Sequence, residues 1–425
     1  MKRLLFILLS VFLYSSLFAA EELKERLLSL KGISSIESLR SDNYKEKYLL
    51  EITQLLDHKD SLSGTFTQRV VVNHIGFDRP TILVTEGYGG GYALRTNYRD
   101  ELSALFDANV VFVEHRYFLE STPVERDWKY LTAENAAYDL HYITTTFKQL
   151  YQGKWISTGI SKGGQTTILY CVYFPDDVDI FVPYVAPWSR AVEDGRHEPF
   201  LRKVGTKSER KTIEKFQIEV LKRREEIMPL LEQYCRAKGL EHRAPLETIL
   251  DYVVLEYPFA FWQWGTSIER IPELTSETET LFRHLVNISE PDYFAQDQGF
   301  ESFFVQAARE LGYYGYDTEP FQGYLSIESS EGYLNSIMLP EGLSFEFDDT
   351  LYKKGYNYLK ENDPKMICIY GGRDPWSATR VPDFEGKKNL QIYIQPKGDH
   401  LARISNMPKK MKKKILSQLN EWLAE

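Results

Sequence analysis

Trp155-Ile156-Ser157-Thr158-Gly159-Ile160-Ser161-Lys162-Gly163-Gly164-Gln165 is the stretch from which the reading of this chain starts. The run Trp155 to Thr158 predicts a strand and Gln165 to Tyr173 a helix, with the pentapeptide G-x-S-x-G between them at 159–163. A serine in that pattern, between a strand and a helix, reads as a nucleophile elbow. The flanking glycines let the backbone turn sharply enough to leave the hydroxyl exposed. A bulky side chain two positions to either side would strike the neighbouring strand or the helix start. A match this short arises by chance, so its weight rests on what the chain supplies further on.

The chain supplies an acid and a base. Asp374 follows the apolar strand-like run Met366 to Tyr370, in the loop Gly371-Gly372-Arg373-Asp374-Pro375-Trp376. His400 follows a second such run, Leu390 to Ile394, in the loop Lys397-Gly398-Asp399-His400-Leu401. Taken singly, Asp374 before a proline is also an ordinary turn residue and His400 a loop histidine. Strand context and the order Ser161, Asp374, His400 together favour a triad, and that order is the one used by α/β-hydrolases. The chemistry needs all three: a serine hydroxyl becomes nucleophilic when an imidazole takes its proton, and the carboxylate fixes the tautomer and stabilises the imidazolium.

The same fold places the oxyanion hole. One donor is the backbone N–H after the nucleophile, here Lys162; the second belongs to the loop Thr85-Glu86-Gly87-Tyr88-Gly89-Gly90-Gly91, with Tyr88 and Gly89 as candidates. Those glycines equally allow a tight turn. The Lys162 side chain is expected at the surface or behind the site, not as a base.

Pro80–Thr85 and Asn109–Val113 are nearly all apolar, as parallel strands buried on both faces are. With Gly64–Val72, Ile180–Val185 and a helical pattern over 132–150, they predict a doubly wound sheet of the α/β class. From about 191 to 350 the character changes to helical and aromatic, with Lys207–Lys238, Thr248–Trp264, Thr278–His284 and Phe303–Leu311 helical in period. We expect a first part of the hydrolase core over 21–190, a helical cap insertion over 191–350 that covers the active-site end, and the second part of the core over 351–425. Most aromatics of the insertion are expected to be its own core.

Residues 1–20 carry Lys2 and Arg3, an apolar stretch from Leu4 to Phe18 and the small pair Ala19-Ala20. This is the pattern of a secretory signal peptide, too short and wrongly flanked for a membrane anchor. The expectation is a secreted or periplasmic enzyme without an anchor after signal cleavage. A net charge of −10 argues against nucleic acid as a partner. The lysines at 409–414 read as the solvated face of the last helix. Of the three cysteines, Cys171 and Cys368 lie in apolar segments and read as buried thiols. With no CxxC and no histidine cluster, no metal and no cofactor are expected.

Several segments carry a family resemblance. Glu114-His115-Arg116-Tyr117-Phe118-Leu119-Glu120-Ser121-Thr122-Pro123 is similar to the EHR-Y-x-x-ES-x-P segment of the prolyl carboxypeptidase and dipeptidyl peptidase II group. Asp374-Pro375-Trp376 resembles that group's acid motif, Gly398–Leu401 its histidine loop, and Phe261–Gly265 an aromatic segment of its cap. The elbow departs from the group, which has tyrosine after the serine. Ser161-Lys162-Gly163-Gly164, together with Gln306–Gly312, resembles instead the sister family of secreted tripeptidyl aminopeptidases of mycelial bacteria. The resemblance runs from about residue 60 to 405. It implies a serine exopeptidase acting on peptides after proline or after small or apolar residues, and it leaves the accepted residue and the number removed open.

An aminopeptidase must recognise a free α-ammonium, which carboxylates do. Glu86, opening the oxyanion loop, and Glu256, bordering the aromatic segment, are the candidates; either is equally an ion-pair partner. Trp262 and Trp264 are candidates to flank a proline ring, with core packing as the competing reading. Arg116 fits an ion pair holding strand-end loops better than a substrate contact. An esterase or other acyl hydrolase, a prolyl carboxypeptidase, and a peptide-binding relative without turnover remain alternatives, because a fold does not set a substrate.

Overall fold

The computed structural model describes residues 22–425. The signal-peptide reading of residues 1–20 lies outside them. Nine strands, β1 Ile33–Leu39, β2 Glu46–Asp57, β3 Asp60–His74, β4 Thr81–Thr85, β5 Asn109–Val113, β6 Trp155–Ile160, β7 Ile180–Tyr184, β8 Met366–Gly371 and β9 Leu390–Gln395, follow one another across the sheet in the order β1-β2-β3-β5-β4-β6-β7-β8-β9. The swap of β4 and β5, the elbow after β6 and a parallel β8–β9 pair make this an α/β-hydrolase sheet. By its internal contacts the chain divides into two compact units. One runs to Thr158 and adds Tyr173–Phe181; the other is Gly159–Val172 with Val182–Glu425.

In the first unit, β1, β2 and β3 form an antiparallel meander, β3 pairs antiparallel with β5, and β4 lies parallel between β5 and β6. Every residue of β4 and β5 is buried, which is why both read as unbroken apolar runs. β1 and β2 were not anticipated as strands. Their sequences, ISSIESL and EKYLLEITQLLD, mix polar and apolar residues because the outer strands keep one side in solvent. The helices of this unit include α1 Glu101–Phe106 and α2 Ala133–Phe147, the latter capped by Thr132, whose side chain accepts the Asn135 N–H at 3.0 Å.

Arg116 ties this unit's loops together. Its Nε and Nη2 each bond Asp139 at 2.7 Å, its remaining donors reach the carbonyls of Leu55, Leu56 and Tyr130, and its guanidinium lies over the Phe66 ring. A fully buried guanidinium is tolerable when its donors are met in this way, and here they are.

In the second unit, α3 Lys162–Tyr173 follows the elbow, and a long helical segment separates β7 from β8. It includes α4 His197–Leu201, α5 Lys207–Lys222, α6 Arg224–Lys238, α7 Leu246–Gln263, α8 Thr278–Ile288 and α9 Glu301–Gln306; α10 Thr350–Glu361 precedes β8 and α11 Lys409–Ala424 ends the chain. The single charged helical pattern expected over 207–238 is two helices, broken at Arg223. α7 contains Pro258, which cannot donate to the carbonyl one turn back. That carbonyl, on Val254, accepts Gln217 Nε2 of α5 at 2.7 Å, so the break is repaired from a neighbouring helix. Cys171, Cys235 and Cys368 are buried, and Lys409, Lys410, Lys413 and Lys414 are exposed. Among the described residues no helix is long and apolar enough to cross a membrane.

Two stability outcomes follow. Arg116→Met leaves the Asp139 carboxylate buried beside a neutral side chain and lowers unfolding stability by about 3–5 kcal/mol. Gln217→Leu leaves the Val254 carbonyl buried and unpaired, at a cost of about 1–3 kcal/mol. Urea unfolding of the purified protein measures both, and an unchanged midpoint for either variant would refute its assigned role.

Candidate active site

Ser161 stands at the turn between β6 and α3 with φ +58, a left-handed conformation that a non-glycine residue adopts at a cost. Two contacts hold it. The Ser161 N–H donates to the Tyr184 carbonyl at 2.9 Å, and the Ser161 carbonyl accepts from Gln165 to start α3. The close approach falls at Gly164, where a Cβ would lie 2.7 Å from the Tyr184 carbonyl oxygen and 2.9 Å from the Ala186 Cβ. Any other residue there would push the helix start away from β7. Lys162, next after Ser161, is the first residue of α3. Its side chain is buried, which removes the surface position from the two alternatives expected for it: the whole inner length of α3, from Lys162 to Val172, is packed.

Asp374 and His400 meet. His400 Nδ1 and Asp374 Oδ2 are 2.7 Å apart, with both residues buried. Asp374 Oδ1 accepts the Trp376 backbone N–H at 3.1 Å, so the carboxylate is oriented by its own turn. The two loops are locked together. The Arg373 N–H donates to the Gly398 carbonyl at 2.7 Å, and a Cβ at Gly371 would fall 2.1 Å from the Asp399 carbonyl oxygen. The His400 N–H donates to the Gln263 carbonyl at the end of α7 at 2.9 Å. Gly265, at φ +63, sits hard against the Asp399 side chain.

Further along α7, Glu256 is buried, and its Oε2 accepts the hydroxyls of Tyr314 and Tyr316, each at 2.9 Å. Among the described residues no cation pairs with it, and burial pushes its pKa up to about 8 against the pull of the two hydroxyls. Tyr314 stacks on Phe259 and meets Trp376 edge-on at 5.2 Å, so the carboxylate stands one ring away from the acid loop. His197 is fully buried among Phe259, Tyr314 and Trp376, and burial drives its pKa down to about 3, which leaves it neutral. The sequence reading missed Tyr314, Tyr316 and His197. The cluster Tyr313-Tyr314-Gly315-Tyr316 was a signal, but tyrosines in a helical insertion read equally as core.

The tryptophans separate. Trp262 is buried, with the Arg373 guanidinium over its ring at 5.3 Å and Gly205 against its edge, so it serves packing. Trp264 is 54% exposed and stands edge-on to the His400 ring at 5.9 Å.

In the first unit, Glu86 folds back on its own loop: Oε1 accepts the N–H groups of Gly87 and Tyr88 at 2.9 and 3.2 Å, and Oε2 accepts the Tyr92 hydroxyl at 2.5 Å. A carboxylate used in this way shapes the turn. The loop bearing Tyr88 and Gly89 is held onto the segment after β5. Glu114 Oε2 accepts the Gly90 N–H at 2.7 Å, Glu114 Oε1 accepts the Ser121 hydroxyl at 2.8 Å, and the Tyr88 carbonyl accepts the His115 N–H at 3.3 Å. Glu114 and Ser121 thus have a stated job in a motif whose purpose the sequence did not disclose. Among the described residues no group of His, Cys, Asp and Glu side chains is arranged to hold a metal ion.

Known proteins are similar to this chain. The prolyl tri/tetrapeptidyl aminopeptidase of Streptomyces mobaraensis is 28% identical over 416 residues, 94% of this chain and 85% of that protein. The probable serine protease EDA2 of Arabidopsis thaliana is 28% identical over 193 residues, 40% of this chain and 38% of that protein. The crystal structure of the proline iminopeptidase of Mycobacterium smegmatis superposes with a TM-score of 0.43 at 11% identity, covering 92% of this chain and 99% of that one. Residues 18–424 match the family model of the PS-10 peptidase S37, and the chain, a serine peptidase, belongs to that family.

Proposed function

We propose that this protein is an exported exopeptidase that removes short peptides, two or three residues long, from free N-termini, cutting after proline or after small or apolar residues. The observation that carries the aminopeptidase reading is Glu256: a buried carboxylate with two hydroxyl partners and, among the described residues, no cation, one ring away from the Asp374 loop. Burying a carboxylate is costly without a positive charge beside it, and a substrate α-ammonium would supply that charge. The similarity to a prolyl tri/tetrapeptidyl aminopeptidase supports the same reading. Export is inferred from the charged, apolar and small-residue order of residues 2–20.

In the proposed mechanism Ser161 Oγ attacks the scissile carbonyl carbon while His400 Nε2 takes its proton. Asp374, bonded to Nδ1, holds the imidazole in the tautomer that leaves Nε2 free and stabilises the imidazolium. The Lys162 N–H faces the oxyanion, with Tyr88 and Gly89 kept as candidates for the second donor on the chemistry of their loop alone. His400 then protonates the departing amine, the acyl–enzyme forms, and a water activated by His400 releases the short peptide. We read the helical segment over 191–350 as the cap that gives substrates this end-on approach.

Ser161→Ala lowers turnover by roughly four or more orders of magnitude while the fold persists, and Asp374→Asn loses about as much; ordinary activity in either, measured on a fluorogenic peptide, rejects the triad. A panel of matched free and N-acylated peptides ending in proline, alanine or leucine tests the anchor. Cleavage is expected of free-amine substrates alone. Cleavage of blocked peptides or simple esters alone would replace this reading with an esterase or a prolyl carboxypeptidase.

Glu256→Gln raises KM for free-amine peptides by about tenfold or more with a smaller change in kcat. Below about pH 8 Glu256 is protonated in the free enzyme, so binding an ammonium requires loss of one proton and kcat/KM rises with pH up to that point. Above it the substrate amine, with a pKa of about 8, loses its own proton and kcat/KM falls again. Glu256→Gln flattens the rising limb relative to wild type. An identical limb in the variant would assign the anchor elsewhere.

A further inference from the structure

Trp264 is the anomaly of its segment. Phe259, Phe261 and Trp262 on the same helix are buried, whereas Trp264, just past its end, keeps 54% of its surface exposed. An isolated exposed leucine needs no explanation, but a half-exposed tryptophan directly against a buried, carboxylate-paired imidazole does. Its indole meets the His400 ring edge-on at 5.9 Å with an interplanar angle of 81°. Its backbone is fixed to the same loop, through the His400 N–H bond to Gln263 and the tight contact of Gly265 with Asp399. Leu401, next in the chain to His400, is 52% exposed.

The chemistry says what passes this point. His400 Nδ1 is occupied by Asp374, so Nε2 must hand its proton to the departing amine from hydrogen-bonding distance. The nitrogen that receives it belongs to the first residue of the leaving peptide. That residue's side chain starts one atom away, at its Cα, and so falls within a few ångströms of whatever flanks the imidazole. Resting on the exopeptidase reading above, we propose that Trp264, with Leu401, is the platform for the side chain of the first residue after the cut, and that the enzyme favours large apolar or aromatic residues there. The exposed indole offers such a side chain a flat apolar surface held in one orientation. Trp264 therefore serves the leaving side of the scissile bond, not the proline on the acyl side.

The test uses the full-length mature protein and peptides sharing the N-terminal part that wild type cleaves best, followed by Phe, Leu or Gly. Wild type is expected to prefer Phe over Gly by about tenfold in kcat/KM, the range of an aromatic contact. Trp264→Ala should bring the ratio to within about twofold, with the Gly peptide within about threefold of wild type. Trp264→Phe should restore most of the preference. A wild type without preference overturns the proposal. So does a Trp264→Ala protein that loses Phe and Gly peptides in parallel, since that would show Trp264 only bracing the histidine loop. Wild-type protein that cleaves no peptide at all overturns the exopeptidase reading, and this proposal with it.

Discussion

The left-handed turn at Ser161 is the constraint on which the site depends. A serine at φ +58 persists because its N–H is taken by the Tyr184 carbonyl and because Gly164 lets α3 begin against β7 without a Cβ in the way. Relaxing that turn would move both the Ser161 hydroxyl and the start of α3 at Lys162. The strain is local, of the order of 1–3 kcal/mol, and the hydrogen bonds and packing of β7 and α3 exceed it.

The remaining groups are positioned by the same kind of short-range fixing, within each unit. In the second unit one helix does three things. α7 carries Glu256 in its tyrosine setting, takes the His400 N–H on its last carbonyl, and leads directly into Trp264 and Gly265 against the histidine loop. Pro258 bends the rules of that helix between Glu256 and Gln263, and Gln217 repairs it from α5. In the first unit Glu114 and Arg116 use buried charge to fix loops, one at Gly90 and the other at the ends of β2 and the turn before α2.

Legibility in the sequence followed burial. Strands buried on both faces, such as β4 and β5, announce themselves as unbroken apolar runs. β1 and β2 were missed since a strand wet on one side mixes its residues. Ser161, Asp374 and His400 could be named as candidates because a catalytic triad ties particular residue types to strand ends in a particular order. Glu86 and Glu256 looked alike as candidate anchors until their partners were visible. Glu86 binds the N–H groups of its own turn, while Glu256 has hydroxyls and, among the described residues, no cation. Likewise Trp262 and Trp264, two residues apart, differ by a helix end: the first points into the packed segment under Arg373, and the second emerges beside His400.

The linear chain by itself determined the sheet class and singled out Ser161, Asp374 and His400 as candidates, since each stands in a local pattern of a few residues. Tertiary structure alone decided which carboxylate lacks a counter-charge, which tryptophan faces solvent, and that the Lys162 side chain is buried. Those properties belong to groups brought together from positions dozens to hundreds of residues apart, such as Glu256 with Tyr314 and Trp264 with His400. No spacing along the chain encodes the distance between them.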